Sequence, residues 1–308
     1  ALTTAVAHMP GWTQNVTKVL VGFPPSGLPD LVARAMAEAM GRAGAPAVVE
    51  NRAGANGRLA AQAVKAAAPD GRTLLVIPAS GMVHLPHVYK NLGYDPFTDF
   101  APVAQLVEND FAFTLSSRVP ARTLAEFAAW AKANPEVATY ASPGLGSAPH
   151  LMGATLAKAL GVKLHHVPYK GSSFALNDMA GGHVGSMFSS TSVVFGSHKA
   201  GSARILAITG PRRHAAMPEV PTFGELGLGQ LLITEGIWLF APARTPAAVV
   251  EKIAASAIAA ASTTEMRSAI QDQAIVAPLV PAALAQRLRG EFERRGEIVH
   301  SLGFTANE

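Results

Sequence analysis

Strand-like apolar runs alternate with segments of helical periodicity at the start of the chain, in the order 16–23, 29–43, 47–52, 57–67 and 73–79. The second of these segments is amphipathic, because Arg34, Glu38 and Arg42 recur every four residues opposite an apolar side. A β-α-β-α-β order of this kind is typical of a parallel sheet with helices on its faces. The pattern therefore predicts an α/β sheet in this part of the chain.

A second alternation of the same kind begins after residue 120. Thr123 and Glu126 form a capping box that predicts a helix to about residue 133. The strands and helices that follow are expected at 138–142, 147–160, 164–168, 173–181, 184–189 and 203–209. We therefore predict a second sheet that is also flanked by helices.

Two long apolar runs, 100–116 and 231–242, flank the second alternation and contain no tight hairpin turn. We interpret them as strands that cross between two lobes. Beyond the second run, Thr245 and Pro246 predict the start of a helix. The rest of the chain to about residue 297 is mostly helical, apart from an apolar interruption at 275–281, and is expected to return to the first lobe.

These patterns predict an α/β fold of two lobes, each a mostly parallel sheet flanked by helices, joined by two crossing strands. Residues 1–110 and 236–308 would form lobe 1, and residues 111–235 would form lobe 2. Hinges are expected near 109–113 and 233–236. A cleft between two hinged lobes is a common place for a small ligand to bind.

The composition narrows the possible functions. Hydrophobic residues make up 49% and charged residues 15% of the 308-residue chain, which excludes intrinsic disorder. No run of about 18 apolar residues suggests a membrane span. The net charge of +4 is small, and the arginine pairs are isolated or flanked by glutamates, so we expect no nucleic-acid partner.

Cysteine is absent, which removes thiol nucleophiles, thiolate metal sites and disulfides. This absence suits a compartment in which stray thiols would oxidise. The chain begins without a basic segment followed by an apolar one. We therefore expect either a cytoplasmic protein or a form from which the signal peptide has been removed.

Catalytic, metal and cofactor sites find little support. No serine lies in a G-x-S-x-G elbow, so a hydrolase is unsupported although not excluded. Neither close histidine pair has the spacing or the partners that metal binding needs, the pairs being His84 with His87 and His165 with His166. The segment 144–149 has two of the three glycines of a dinucleotide fingerprint, and no acidic residue ends the next strand. We expect no cofactor and no metal.

Five strand-to-helix turns rich in glycine, serine and proline remain, at 24–30, 78–81, 142–150, 170–173 and 189–192. In parallel sheets such turns gather at one edge, and the backbone N–H groups of helix starts bind carboxylate without a lysine or an arginine. Ordinary helix capping is the simpler explanation of any single turn. Five turns together favour a binding cleft.

The chain also resembles a known family, in order along nearly its whole length. The segments that carry the resemblance include FPPSGLPD (23–30), ENRAGANG (50–57), AAPDGRTLL (67–75), YASPGLGSAPHLMG (140–153) and HVPYKG (166–171). They are similar to those of the Bug proteins, the extracytoplasmic solute receptors of tripartite tricarboxylate transporters. The resemblance implies a type II-like periplasmic binding protein, not an enzyme, that closes on a small organic carboxylate and delivers it to membrane permease subunits. On the same ground we expect a monomer whose signal peptide has been removed.

The resemblance also implies where the ligand binds. Residues 23–30 and 142–150 would hold its carboxylate through backbone amides, hydroxyls and water, with 169–171 at or near the cleft. The expected ligand-binding residues are Phe23, Pro25, Ser26, Gly27, Asp30, Ser80, Ser142, Gly144, Gly146, Ser147, His150, Tyr169, Lys170, Ser189, Ser190 and Thr191.

The sequence departs from the family pattern within these loops. Ser26 stands where glycine is usual, Leu28 where proline is frequent, and Pro29 where threonine or serine commonly precedes the aspartate. Ser189 and Ser190 replace a frequent Asp-Asn pair, which would ease anion binding. Because these departures fall in the loops that choose the ligand, its identity stays open.

Two other functions stay open as well. The same cleft would serve a ligand sensor that presents the bound solute to a signalling partner, and the neighbouring genes would distinguish that role from transport. A hydrolase or transferase would require turnover that a Ser147→Ala or His150→Ala change abolishes.

Overall fold

The computed structural model describes residues 16–303, apart from the side chain of residue 272. The N-terminal residues that bear on a signal peptide lie outside this part. The strands are β1 (Thr17–Val21), β2 (Ala47–Asn51), β3 (Thr73–Pro78), β4 (Phe100–Asn109), β5 (Phe111–Ser116), β6 (Thr139–Ser142), β7 (His165–Pro168), β8 (Ser186–Ser190), β9 (Ala203–Ile208), β10 (Glu235–Pro242) and β11 (Ile275–Leu279).

These strands form two sheets, one in each lobe. The six-stranded sheet of lobe 1 has the order β11-β4-β10-β3-β1-β2, and the five-stranded sheet of lobe 2 has the order β7-β6-β8-β5-β9. Strands β1–β3 pair in parallel, as do β6–β8. Strands β4 and β10, which carry the chain out of lobe 1 and back into it, pair antiparallel with each other. Strand β10 also pairs antiparallel with β3, and β5 pairs antiparallel with β8 and β9. The predicted two-lobed α/β fold is confirmed, and both sheets are mixed.

The helices are α1 (Leu28–Arg42), α2 (Arg58–Lys65), α3 (Ser80–Val83), α4 (Leu85–Val88), α5 (Leu124–Ala133), α6 (Ala148–Leu160), α7 (Ser172–Gly181), α8 (Thr191–Lys199), α9 (Ala247–Ala261), α10 (Thr264–Ile270) and α11 (Pro281–Leu302). The helix start predicted at Thr123 is confirmed, since its hydroxyl accepts the Glu126 N–H at 3.1 Å. Among the described helices, none is long and apolar enough to cross a membrane.

Apolar side chains pack on both faces of the lobe 1 sheet. Along β1, Val19 and Val21 join the cluster beneath α1 and α9, whereas Leu20 joins the cluster beneath α2 and α11. Trp238 on β10 is fully buried, and its indole N–H donates to the Gln105 side chain at 2.9 Å. A strand buried on both faces reads as an unbroken apolar run, which explains why these strands were predictable.

The chain crosses between the lobes at two neighbouring places. Asp110 separates β4 from β5, and the second crossing leads into β10. Thr209 ties the crossings together, because its hydroxyl donates to the Ile233 carbonyl at 2.6 Å and accepts the Phe111 N–H at 2.9 Å. The two segments expected to act as hinges therefore lie side by side.

The C-terminal helix α11 contacts both lobes. Val299 packs in a small buried cluster with Val88 of α4 and Leu151 of α6. Lys158 of α6 donates to the Ser301 carbonyl at 2.7 Å. The lobes are therefore joined by a packed helix as well as by the crossing strands.

The C-terminal region differs from its prediction in two details. The apolar segment at 275–281 contains β11, which pairs with β4 at the edge of the lobe 1 sheet. The helix expected to start at Thr245 begins at Ala247, with Pro246 as its N-cap. The backbone of Pro246 is extended, with ψ of 138°, so this residue precedes the helix rather than opening it.

Candidate ligand-binding cleft between the lobes

The predicted turns lie at one edge of each sheet, and two of them contact residues of lobe 1 or of the first crossing. Parallel strands end at the same edge of a sheet, so the turns after β1 and β3 share one edge in lobe 1, and those after β6, β7 and β8 share one in lobe 2. Asn109, at the first crossing, donates to the Ser190 hydroxyl at 3.2 Å. Asn56 of lobe 1 donates to the Leu145 carbonyl of lobe 2. The turns thus border one interface between the lobes.

The turn after β1 is organised by a buried carboxylate. Asp30 is only 2% exposed and accepts hydrogen bonds from the Ser26 N–H at 2.9 Å, from Arg34 at 3.0 Å and from Asn51 at 2.8 Å. Burial alone would raise the pKa of Asp30, but these hydrogen bonds outweigh it and lower the pKa. Pro25 and Ser26 are exposed, Phe23 and Gly27 are half-buried, and Ser26 has a left-handed φ of +69°. This turn presents its backbone at the surface and keeps its charge inside.

The turn after β3 meets a second buried carboxylate. The Ser80 N–H donates to Glu235 at 2.6 Å. Burial raises the pKa of Glu235 above its ordinary value, despite the hydrogen bonds from Ser80 that oppose the shift. Glu235 opens β10 and pairs with Asn109 on the other crossing strand. A predicted ligand residue is therefore held by the strand that returns between the lobes.

The turn after β6 is closed by hydrogen bonds within lobe 2. The Gly146 N–H donates to Nδ1 of His150 at 3.1 Å, and the Ser147 hydroxyl, which caps α6, donates to the Gly144 carbonyl at 2.7 Å. The Ser142 hydroxyl lies 2.7 Å from Nε2 of His166. The sequence predicted these serines and glycines as ligand donors, and the structure gives each of these donors an internal partner.

Two stacked imidazoles support this turn. The rings of His150 and His166 lie 4.0 Å apart, and the hydroxyl of Tyr140 donates to the His150 carbonyl at 3.0 Å. Burial lowers the pKa of His150 to about 4 and, together with the charge of His150, lowers that of His166 to about 3. Both rings are therefore neutral near pH 7, so the pair adds no positive charge to the cleft.

The turn after β7 leads into α7, which starts without a side-chain cap at Gly171. The Tyr169 hydroxyl donates to Asp178 at 2.7 Å, and burial together with this aspartate raises the pKa of Tyr169 to about 12. Lys170 is exposed. The phenol thus anchors the turn, and the backbone N–H groups at the helix start have no side chain placed to cap them.

The turn after β8 is rich in hydroxyls that do not cap a helix. Ser190 is the N-cap residue of α8, but its side chain makes no capping bond. Ser189 is fully buried and Thr191 is 5% exposed. The Thr191 N–H donates to the backbone carbonyl of Asp110 at 3.1 Å, which links this turn to the first crossing. Capping by serine side chains therefore does not explain this segment.

Sequence reasoning missed four polar residues at or beside the predicted turns, namely Asn51, Asn56, Asp110 and Glu235. The two asparagines lie in the ENRAGANG segment, which carried the resemblance but gave no sign of its partners. Asp110 and Glu235 lie in the crossing runs, where the apolar pattern indicated strands only. Burial raises the pKa of Asp110, although the nearby Thr191 side chain and His214 oppose this shift.

The arrangement offers little for catalysis or metal binding. Ser142 and His166 are close enough for a nucleophile and its base, but a histidine with a pKa of about 3 is a weak base near pH 7. Within residues 16–303, no cluster of three histidine, aspartate or glutamate side chains is arranged to hold a metal ion. Neutral donors and shielded charges are what the interface presents.

The chain is similar to proteins of one family. The model of the "Tripartite tricarboxylate transporter family receptor", TctC, matches residues 32–304. A curated relative, the "UPF0065 protein in gbd 5'region" of Cupriavidus necator, is 35% identical over 250 residues, which are 81% of this chain and 75% of that protein.

Solved structures of similar fold cover almost the whole chain. The periplasmic binding protein BugD has a TM-score of 0.85 at 30% identity and covers 95% of this chain and 99% of its own. MatC (Rpa3494) from Rhodopseudomonas palustris, with bound malate, has a TM-score of 0.82 at 31% identity and covers 92% of this chain and 98% of its own. R. palustris Rpa4515 with adipate has a TM-score of 0.87 at 26% identity and covers 96% of this chain and 99% of its own. The chain therefore belongs to the tripartite tricarboxylate transporter family receptors, which are periplasmic solute-binding proteins and not enzymes.

Proposed function

We propose that this protein binds a small organic carboxylate between its lobes in the periplasm and delivers it to the permease subunits of a tripartite tricarboxylate transporter. One observation carries the proposal. Three helices that start at the interlobe edge, α1, α7 and α8, have no side-chain cap at their N-termini. The helix dipoles of all three favour a carboxylate, and α7 offers the most backbone N–H groups. In α1, Pro29 has no N–H and the Asp30 and Leu31 N–H groups donate to the Gly27 carbonyl, and in α8 the Thr191 N–H donates to the Asp110 carbonyl. The malate and adipate bound by two relatives support the same ligand class.

Within this proposal, the sixteen residues predicted from the sequence form the site, some by contact with the ligand and others by supporting those that contact it. The N–H groups of Ser26, Ser80 and Gly146 already donate to groups of the protein. These residues therefore shape the cleft and offer the ligand other atoms, such as the exposed side chain of Ser26. The main donors to carboxylate are the uncapped start of α7 together with the hydroxyls of Ser190 and Thr191.

We further propose that the lobes divide at 110/111 and at 235/236 and that the receptor is a monomer. The sheets support this division to within one residue, since β1–β4 and β10–β11 lie in one sheet and β5–β9 lie in the other, while Glu235 is the first residue of β10. The neighbouring crossings then act as the hinge for closure on the ligand.

A thermal-shift screen tests the ligand class. Malate, adipate and related mono- and dicarboxylates are compared with their uncharged amides, which keep the shape and remove the charge. A true ligand at a hundredfold excess over its dissociation constant stabilises the native state by about 2.7 kcal/mol. The proposal predicts a shift with acids alone. Equal shifts with the amides, or shifts with neutral or cationic compounds only, would show that the carboxylate assignment is wrong.

A matched pair of variants tests the site. Thr191→Val keeps the shape of a side chain at the start of α8 and removes its hydroxyl, and Thr114→Val makes the same change on β5, away from the turns. If the Thr191 hydroxyl donates to a carboxylate, its loss weakens binding by about tenfold or more. Thr114→Val should leave the affinity unchanged. Titration calorimetry measures both, and equal affinities for the two variants would remove Thr191 from the site.

A further inference from the structure

The peptide between Leu145 and Gly146 is held from both lobes. Its carbonyl accepts a hydrogen bond from the Asn56 side chain of lobe 1, and its N–H donates to Nδ1 of His150 in lobe 2 at 3.1 Å. A peptide unit is planar, so bonds at its two ends fix its orientation. The orientation of this peptide therefore depends on the position of lobe 1.

The loop that carries Asn56 is built to project toward lobe 2. Residues 54–57 all have positive φ, at 143°, 47°, 54° and 89°, and two of them, Ala55 and Asn56, are not glycine. A left-handed backbone is costly for residues other than glycine and persists where the surroundings impose it. Gly57 supplies that constraint, because a Cβ on Gly22 would stand 2.3 Å from the Gly57 Cα. The loop is packed against the end of β1.

The glycines of the turn after β6 make room for this loop and its neighbours. A Cβ at Gly144 would stand 2.6 Å from Oδ1 of Asn56, closer than real Cβ contacts. A Cβ at Gly146 would stand 3.3 Å from Val88 of lobe 1, and Gly146 has a φ of +76°. Lobe 1 thus touches the turn at both glycines. The Gly-Leu-Gly sequence is explained by contact between the lobes.

We propose that Asn56 and the Leu145–Gly146 peptide form a closure latch that stabilises the closed arrangement of the lobes and orients residues 142–150 for the ligand. Asn56 is a positioning residue, since it acts on the ligand through this turn. The effect on affinity rests on the proposed function, because a receptor that closes less readily binds its ligand more weakly in proportion to the competent fraction. The latch itself needs no ligand.

The absence of cysteine allows the lobe arrangement to be measured directly. Val48→Cys in lobe 1 and Val137→Cys in lobe 2 place one spin label on each lobe, since the native side chains are 51% and 59% exposed. Double electron–electron resonance then gives the ratio of closed to open protein without ligand. The single variants are Asn56→Asp, Asn56→Gly and Gly144→Ala. A double variant combines Asn56→Gly with Gly144→Ala. The control is Gly41→Ala, where an added Cβ meets nothing within 4 Å.

Asn56→Asp keeps the size of the side chain and replaces its N–H donor by an oxygen. We expect the closed-to-open ratio to fall about fivefold, as for the loss of one net hydrogen bond. Gly144→Ala should lower the ratio by about tenfold or more through the clash with Asn56. In the Asn56→Gly background, Gly144→Ala should have little further effect, because the clashing side chain is gone. Gly41→Ala should leave the ratio unchanged.

Two results would overturn the latch: an unchanged ratio in Asn56→Asp, or a Gly144→Ala effect of the same size with and without Asn56. Circular dichroism confirms that each variant is folded before its ratio is read. The proposed function is judged separately by carboxylate binding to the unmodified protein. A receptor that binds carboxylate with unchanged ratios refutes the latch alone, and a working latch without carboxylate binding refutes the proposed function alone.

Discussion

The ion pair between Glu291 and Arg295 lies within α11, is almost fully buried and gives a quantitative test of the fold. The residues are 7% and 2% exposed, and the guanidinium Nε lies 2.8 Å from the carboxylate. A second guanidinium nitrogen donates to the Thr234 carbonyl at 3.2 Å. Replacing Arg295 by methionine keeps an unbranched apolar stem and removes the positive charge. The Glu291 carboxylate then loses its buried partner.

The expected loss is large because one charge stays inside. Removing one partner of a buried pair costs about 3–5 kcal/mol. Arg294, whose side chain is 56% exposed, still contacts Glu291, so we expect a value near the lower end, about 3 kcal/mol. A matched control is Arg42→Met, since Arg42 contacts Glu38 at 2.7 Å and Glu265 at 3.3 Å and all three side chains are exposed. That change should cost about 0.3–0.5 kcal/mol.

Urea unfolding followed by tryptophan fluorescence and circular dichroism measures both changes, and coincidence of the two signals checks two-state behaviour. A third variant combines Arg295→Met with Glu291→Leu and removes both charges. Its stability should return most of the way to the unmodified protein, because a packed apolar pair replaces a buried ion pair at little cost. The reasoning is wrong if Arg295→Met costs no more than Arg42→Met, or if the double variant is as unstable as the single one.

Single side chains give three further expectations. Ser26→Gly should raise the free energy of unfolding in urea by about 0.5–1 kcal/mol, because glycine adopts the φ of +69° without strain, and a loss would contradict this. Thr123→Ala should lower the free energy of unfolding by about 1 kcal/mol, because the cap of α5 is lost, whereas Thr123→Ser keeps a capping hydroxyl and should retain most of this stability. Burial lowers the pKa of His150 from 6.5 to about 4, so the unfolded chain binds more protons between these values and stability should fall as the pH falls through that range. His150→Asn keeps a hydrogen-bond acceptor and should make the pH profile less steep, with the contribution of His166 remaining, and an unchanged slope would refute this assignment.

The sequence predicted the elements whose signals are local. Strands β1 and β3 are buried on both faces, so burial itself produces their apolar runs, and Thr123 caps α5 through a residue only three positions away. The segment that became β11 lies between helices and is half-exposed, so its pattern carried no strong period. Helices α3 and α4 have four residues each, too few for a helical period to be read.

The candidate site was predictable as a set of turns but not as a set of bonds. Ser80 and Glu235 are 155 residues apart in the chain, and Asn56 and Leu145 are 89 apart. No spacing of neighbouring residues predicts such pairs, because only the folded chain brings their members together. The predicted ligand-binding residues stay a prediction, and their hydrogen-bond partners were found only in the structure.

These partners change what the first turn can do for an anion. The Ser26 N–H already donates to Asp30, and a single N–H held by one carboxylate is poorly placed to serve a second. The negative charge of Asp30 would by itself repel a ligand carboxylate that approaches this turn. Arg34 and Asn51 donate hydrogen bonds to Asp30 and weaken this repulsion. We infer that Asp30 acts on the ligand through the loop that it orders. The positive charge of Arg34 compensates the negative charge of Asp30, so that this loop can still accept an anionic ligand. We therefore expect the selectivity of the first turn to rest with the exposed Ser26 side chain.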